Sequence, residues 1–175
     1  MYIAVMTAKS SAVRVSLTPL SARAGDPEFY RGDDYEIQES IGYLLRRLRT
    51  VLDRAVDAEM AEHDLTGVQW GPLLMLHCGM GTTAAELARA ACVDTGAMTR
   101  MLDRLEAKAL VERTRCPNDR RVVQLELTSE GRRLCREIPY GLCRVINASL
   151  RGFTEPEVET LKTLLRRMLA NVDRP

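Results

Sequence analysis

From residue 35 to about residue 62, Ile37, Ile41, Leu44, Leu45, Leu48, Leu52 and Ala55 recur at about 100° per residue, so they share one face of a long amphipathic helix. A second helix is expected over about 66–77, with Thr66 as its cap. Pro72 should bend it, because proline has no amide hydrogen to give to the helix interior. Thr83 and Glu86 then stand at the spacing of a capping box and open a short helix. Asp94 is a good cap for another, which runs to about Lys108 with Ala97, Met101, Leu102 and Leu105 on its apolar side. Beyond it the period drops to two. Leu110-Val111 and then Val122-Val123, Leu125 and Leu127 bracket the turn formers Pro117-Asn118-Asp119, which is a hairpin pattern. Thr128 next caps a long helix reaching about Arg151, with Leu134, Ile138, Leu142, Val145, Ile146 and Leu150 inward and a bend at Pro139. A second capping box, Thr154 with Glu157, opens a final helix carrying Val158, Leu161, Leu164, Leu165, Met168 and Leu169.

A capped short helix, a connection of about three residues and a second capped helix form the spacing of a helix-turn-helix, whose second helix enters the major groove of DNA. Its outward residues would be Thr95, Gly96, Thr99, Arg100, Asp103 and Arg104. Threonine can meet base edges or phosphates, arginine grips guanine through two parallel hydrogen bonds, and Gly96 lets the backbone come close. On this pattern alone, such a helix is more often a solvated amphipathic surface helix.

Composition narrows the choice. The chain has 175 residues, 46% of them hydrophobic, which suffices for one core, and it has neither a bilayer-length apolar run nor a cleavable leader pattern. A cytoplasmic protein with no membrane association is expected. The net charge of +1 argues against indiscriminate nucleic-acid binding, yet Arg113, Arg115, Arg120 and Arg121 face only Asp119 at the hairpin, and Arg46, Arg47, Arg49 and Arg54 face only Asp53 on the first helix. The five cysteines (Cys78, Cys92, Cys116, Cys135, Cys143) form no Cys-x-x-Cys pair, so they read as reduced thiols filling the core, with Cys116 alone expected at the surface. Two histidines, no phosphate loop and no nucleophile elbow leave no basis for an enzyme, a cofactor or a metal site.

The stretch "TTAAELARAACVDTGAMTRMLDRLEAKALVERTRCPNDRRVVQLELTSEG" resembles the winged helix-turn-helix of the MarR family of bacterial transcriptional regulators. The resemblance implies a mainly α fold with a small β-hairpin wing and a helical dimerisation lobe. Residues 1–34 would be an N-terminal arm and residues 35–175 a single domain, with the winged helix-turn-helix at about 66–128 and the dimerisation helices at about 35–62 and 129–172. It further implies that Asp119 orients the wing and that Arg121 enters the minor groove, with Arg115 and Arg120 beside it. The potential of a narrow minor groove favours such an insertion. The alternative is that Asp119 fixes the hairpin by pairing with Arg113 or Arg115.

The same resemblance implies a homodimer on a pseudo-palindromic operator in double-stranded DNA, and a small aromatic or phenolic anion as effector, bound between the two lobes. On the first helix, projection at about 100° per residue gathers Ser40, Tyr43 and Arg47 along one border, where they could hold a carboxylate. Trp70 and His77 would supply an aromatic wall and a titrating partner. Taken singly, each of these five also suits an ordinary structural role. A helical protein-interaction module that no longer reads DNA, and a thiol-based redox regulator, remain the alternatives. The redox branch uses a reactive cysteine near the start of the first helix, and this chain has none there.

Overall fold

The computed structural model describes residues 25–115 and 123–172. These residues group into two compact units, one made of residues 68–139 and the other of residues 25–67 with 140–172.

In the second of these units, helix α1 spans Ile41–Ala61 and so starts later than residue 35. Ser40 is the cause. Its hydroxyl donates to the Ile37 carbonyl at 2.8 Å and accepts the Tyr43 N–H at 3.3 Å, closing the short 3-10 turn Ile37–Glu39 on one side and capping the helix on the other. A side chain that satisfies the backbone in this way competes with extending the helix backwards. The Tyr30 hydroxyl accepts the Ile41 N–H at 3.0 Å, satisfying another amide left open at the helix start.

The unit formed by residues 68–139 begins with α2, Trp70–His77. Thr66 does not cap it; a turn over residues 67–69 intervenes. Pro72 is therefore the third residue of the helix, in the first turn, where an amide hydrogen has no acceptor in any case, so the expected bend has no cause. Helix α3, Ala84–Ala91, opens on the complete Thr83–Glu86 capping box, and Glu86 Oε2 also accepts the Thr82 N–H at 2.8 Å. These donors, with the Thr82 amide foremost, hold the Glu86 carboxyl below the usual carboxylate range. The helix ends on Cys92 in a left-handed conformation (φ 55°), and the Val93 N–H reaches back to the Ala88 carbonyl at 3.0 Å. Asp94 then caps α4, Thr95–Ala107, through the Ala97 N–H at 2.8 Å.

Strands β1, Val111–Arg115, and β2, Val123–Leu127, pair antiparallel with Val111 opposite Leu127 and Arg113 opposite Leu125. The Leu125 N–H also donates to the Thr82 carbonyl at 2.8 Å, tying the hairpin to the start of α3. Thr128 ties the hairpin to the next helix, α5, Ser129–Ser149. Its amide donates to the Leu110 carbonyl at 3.1 Å and its hydroxyl to the Ala109 carbonyl at 2.7 Å, while the same hydroxyl caps α5 by accepting the Gly131 N–H at 3.0 Å. The core of this unit comprises Leu73, Leu87, Met98, Leu102, Leu105, Leu110, Val111, Leu125, Leu127, Leu134 and Ile138.

Cysteine placement departs from expectation. Cys135 is buried and donates its thiol to the Leu73 carbonyl, and burial pushes the thiol up to about 11. Cys78, Cys92 and Cys143 are exposed. Cys78 and Cys92 occupy the residues that end α2 and α3, which lie at the surface because the chain turns there. Cys116 lies outside the described residues.

Helix α5 continues unbroken through Pro139, and α6 spans Glu155–Val172. Glu157 reaches back to the Thr154 N–H at 2.7 Å, which completes the backward half of the expected capping box, and the Thr154 hydroxyl donates to the same carboxylate at 2.7 Å. In the unit formed by residues 25–67 and 140–172, Glu59 pairs with Arg144, and a Cβ at Gly141 would stand 3.1 Å from Met60 Cε, so α1 and α5 approach closely there. Leu44, Leu45, Leu48 and Val51 on α1 and Leu161, Leu164, Met168 and Leu169 on α6 remain exposed, and α6 buries no residue at all.

Candidate nucleic-acid interface

Packing decides which side of α4 is presented. Met98, Leu102 and Leu105 are fully buried, and each side chain of that size stabilises the packed orientation by about 1.5–3 kcal/mol. Thr95, Gly96, Thr99, Arg100 and Arg104 are left on the exposed side. The helix therefore cannot roll about its axis without uncovering three core residues. Thr99 Oγ1 donates to the Thr95 carbonyl at 2.8 Å, which leaves its lone pairs and methyl outward. A Cβ at Gly96 would approach Asp94 Oδ1, the capping oxygen, at 3.1 Å, so a side chain there would crowd the cap as well as anything lying against the helix start.

Arg113 behaves otherwise than its place in the sequence suggests. It stands among the arginines of the hairpin but turns inward onto α4, with Nη2 at 2.7 Å from Asp103 Oδ1 and Nη1 at 2.5 Å from Glu106 Oε2. The alternative in which Arg113 pairs with Asp119 therefore has a competitor: both terminal nitrogens already face carboxylates of α4. Pairing between residues ten and seven positions apart on different elements leaves no periodic trace in the sequence, so this contact could not be read there. Arg115 closes the described part of β1 opposite Val123 and is exposed. Asp119, Arg120 and Arg121, the expected wing residues, lie outside the described residues.

The five candidate effector residues divide between the two units. In the unit formed by residues 25–67 and 140–172, Ser40 is buried and its hydroxyl is committed to the α1 cap, Tyr43 is half-buried with the Arg46 guanidinium 5.8 Å from its ring centre, and Arg47 is exposed. In the unit formed by residues 68–139, Trp70 is half-buried and its enclosed Nε1 donor has no acceptor among the described residues, whereas His77 is exposed at the end of α2. Among the described residues no group of three His, Cys, Asp or Glu side chains stands where a metal could be held, and no helix is long and apolar enough to cross a membrane.

A family model described as MarR family matches residues 65–123. Over 130 residues the chain is 35% identical to the multiple antibiotic resistance protein MarR of Escherichia coli, covering 74% of this chain and 90% of that protein. Two solved structures are similar along most of their length. A mutant of E. coli MarR complexed with operator DNA superposes with a TM-score of 0.68 at 34% identity, covering 74% of this chain and 93% of that one. BpsR of Bordetella bronchiseptica, whose DNA binding is regulated by 6-hydroxynicotinic acid, superposes with a TM-score of 0.70 at 26% identity, covering 77% and 96%.

Proposed function

Given that this chain belongs to the MarR family of DNA-binding transcriptional regulators, we propose that it acts as a homodimeric repressor of a pseudo-palindromic operator, released when a small aromatic acid binds. The observation that carries the operator reading is the locked outward face of α4. Thr95, Gly96, Thr99, Arg100 and Arg104 occupy it, and three buried side chains opposite prevent the helix from turning another face to the duplex. In this reading Arg100 and Arg104 grip bases or phosphates in the major groove, while Arg115, Arg120 and Arg121 bring the hairpin to the backbone and the adjacent minor groove. Asp119 orients the hairpin tip.

Two further features support the finer parts of the proposal. The exposed leucines of α1 and α6 form an amount of apolar surface that a soluble monomer seldom leaves open, and a second copy would bury it in an isologous interface. A dimer of this motif would bind two half-sites one helical turn apart. The effector reading draws on a relative regulated by 6-hydroxynicotinic acid. Tyr43 and Arg47 are the residues proposed to bind the carboxylate, with Ser40 holding the helix start.

The test is a fluorescence-anisotropy titration of duplex fragments from the gene's own upstream region against random duplex, at several salt concentrations. The proposal predicts tighter binding to one upstream fragment and a steep fall with salt, as counterions released from several phosphates require. Equal affinity for every duplex at low salt contradicts it.

A further inference from the structure

The outward side of α4 holds as many acids as bases, which is an odd property for a helix that must lie against phosphates. Over Thr95–Ala107 the charges are Arg100 and Arg104 against Asp103 and Glu106, a net of zero. Projection at about 100° per residue puts Asp103 between Thr99 and Arg100, near the middle of the outward face and opposite Met98, Leu102 and Leu105. Both carboxylates are engaged by the single guanidinium of Arg113, at 2.7 Å and 2.5 Å. Arg113 is the more enclosed partner, its side chain 28% exposed against 55% for Asp103 and 41% for Glu106. It also occupies a strand position opposite Leu125, on the side where Val111, Leu125 and Leu127 are buried and where alternation calls for an apolar residue.

From this geometry we propose that Arg113 is a charge mask for the DNA-reading helix, a specificity-neutral residue that pairs with both Asp103 and Glu106 and offsets one of their two negative charges, so that the duplex meets the positive charge of Arg100 and Arg104. The inference rests on the operator-binding reading. A duplex carries one negative charge per about 1.7 Å of axis, and a bare carboxylate within a Debye length of about 10 Å repels it. The planar guanidinium fork reaches two carboxylates at once, so one residue serves both. Arg113 itself need not touch DNA.

The experiment compares the parent with Arg113→Gln, Arg113→Lys and the triple variant Arg113→Gln/Asp103→Asn/Glu106→Gln, using anisotropy on upstream and random duplexes from low to high salt. Urea midpoints report folding. Masking predicts that Arg113→Gln binds both duplexes about ten- to a hundredfold more weakly at low salt, with the deficit shrinking as salt rises. Arg113→Lys keeps the charge and should bind within about fivefold of the parent, and the triple variant, whose cluster is one charge more positive than the parent's, should bind at least as tightly as the parent. If Arg113 only braces the hairpin, the triple variant and Arg113→Lys bind as weakly as Arg113→Gln and the deficit is independent of salt; that result overturns the proposal. Should Arg113→Gln fail to fold, Arg113→Lys and the triple variant still decide the matter. If the parent binds no duplex, the operator reading fails and the mask falls with it, whereas a parent that binds with an unaffected Arg113→Gln refutes the mask alone.

Discussion

Replacing Gly131 with alanine isolates the joint between the hairpin and α5. A Cβ built at Gly131 lies 2.1 Å from the Leu110 carbonyl oxygen and 3.3 Å from Leu127 Cδ2. Carbon-to-oxygen contacts of this kind ordinarily begin at about 3.3 Å, so the two backbones must separate by about 1 Å. No side-chain rotation can relieve the clash, because the obstructing atom is main chain. The Leu110 carbonyl accepts the Thr128 N–H, and the neighbouring Ala109 carbonyl accepts the Thr128 hydroxyl, so separation strains both hydrogen bonds. Overpacking costs about 1–3 kcal/mol and two weakened hydrogen bonds up to about 1–3 kcal/mol more, offset by about 1 kcal/mol from the better helix propensity of alanine. The net expectation is a loss of about 1–5 kcal/mol. Urea denaturation of parent and variant at equal protein concentration measures it, since association would otherwise shift both midpoints. An unchanged or raised midpoint would refute the reasoning and show that Gly131 is present for helix geometry only.

Other substitutions address the remaining parts of the account. Arg100→Ala and Arg104→Ala should each weaken operator binding or relax base preference by about 1–3 kcal/mol while leaving the urea midpoint near the parent's, as competition between operator variants would report. Glu86→Gln keeps an acceptor oxygen but loses the negative charge at the start of α3, so it should destabilise the protein at neutral pH by about 0.3–1 kcal/mol. Because the Glu86 carboxyl is held below its ordinary value in the folded state, its contribution is present above the unfolded-state value and is lost as pH falls through the folded-state value. The parent and Glu86→Gln midpoints should therefore converge in acid, and a gap that stayed constant with pH would contradict the carboxylate's role. Arg47→Ala should abolish the response to benzoate, salicylate and hydroxynicotinate classes in a DNA-competition assay while keeping operator affinity; a variant that responds like the parent removes Arg47 from the effector site.

The elements that were legible in the sequence are those whose signals are local. The capping boxes at Thr83 and Thr154, the Asp94 cap, the buried stripe of α4 and the alternation in the hairpin all specify structure within a few residues, and they appear where the sequence places them. Departures occur where a second local signal competes. Ile37 continues the apolar period of α1, but the Ser40 hydroxyl spends itself on the Ile37 carbonyl and stops the helix at Ile41. Pro72 reads as a helix breaker until the start of α2 is known, after which it is an ordinary first-turn residue. The exposure of Cys78 and Cys92 was illegible because their surface position follows from where α2 and α3 end rather than from their own chemistry. Arg113 is the clearest case, since a basic residue in a basic segment gives no sign that its partners are two carboxylates on the preceding helix. The wing residues Asp119 and Arg121 rest on the family resemblance, as they lie outside the described residues.

The central claim, that a dimer reads a two-fold operator through α4, is tested most directly by methylation-protection footprinting of guanine N7 on the upstream fragment with the best affinity. Guanine N7 lies in the major groove, where Arg100 and Arg104 are proposed to act. The account predicts two symmetric clusters of protected guanines with centres one helical turn, about 10 base pairs, apart, and loss of both clusters together in Arg100→Ala. Tight binding with no guanine protected, or with a single unpaired cluster that survives Arg100→Ala, would contradict it.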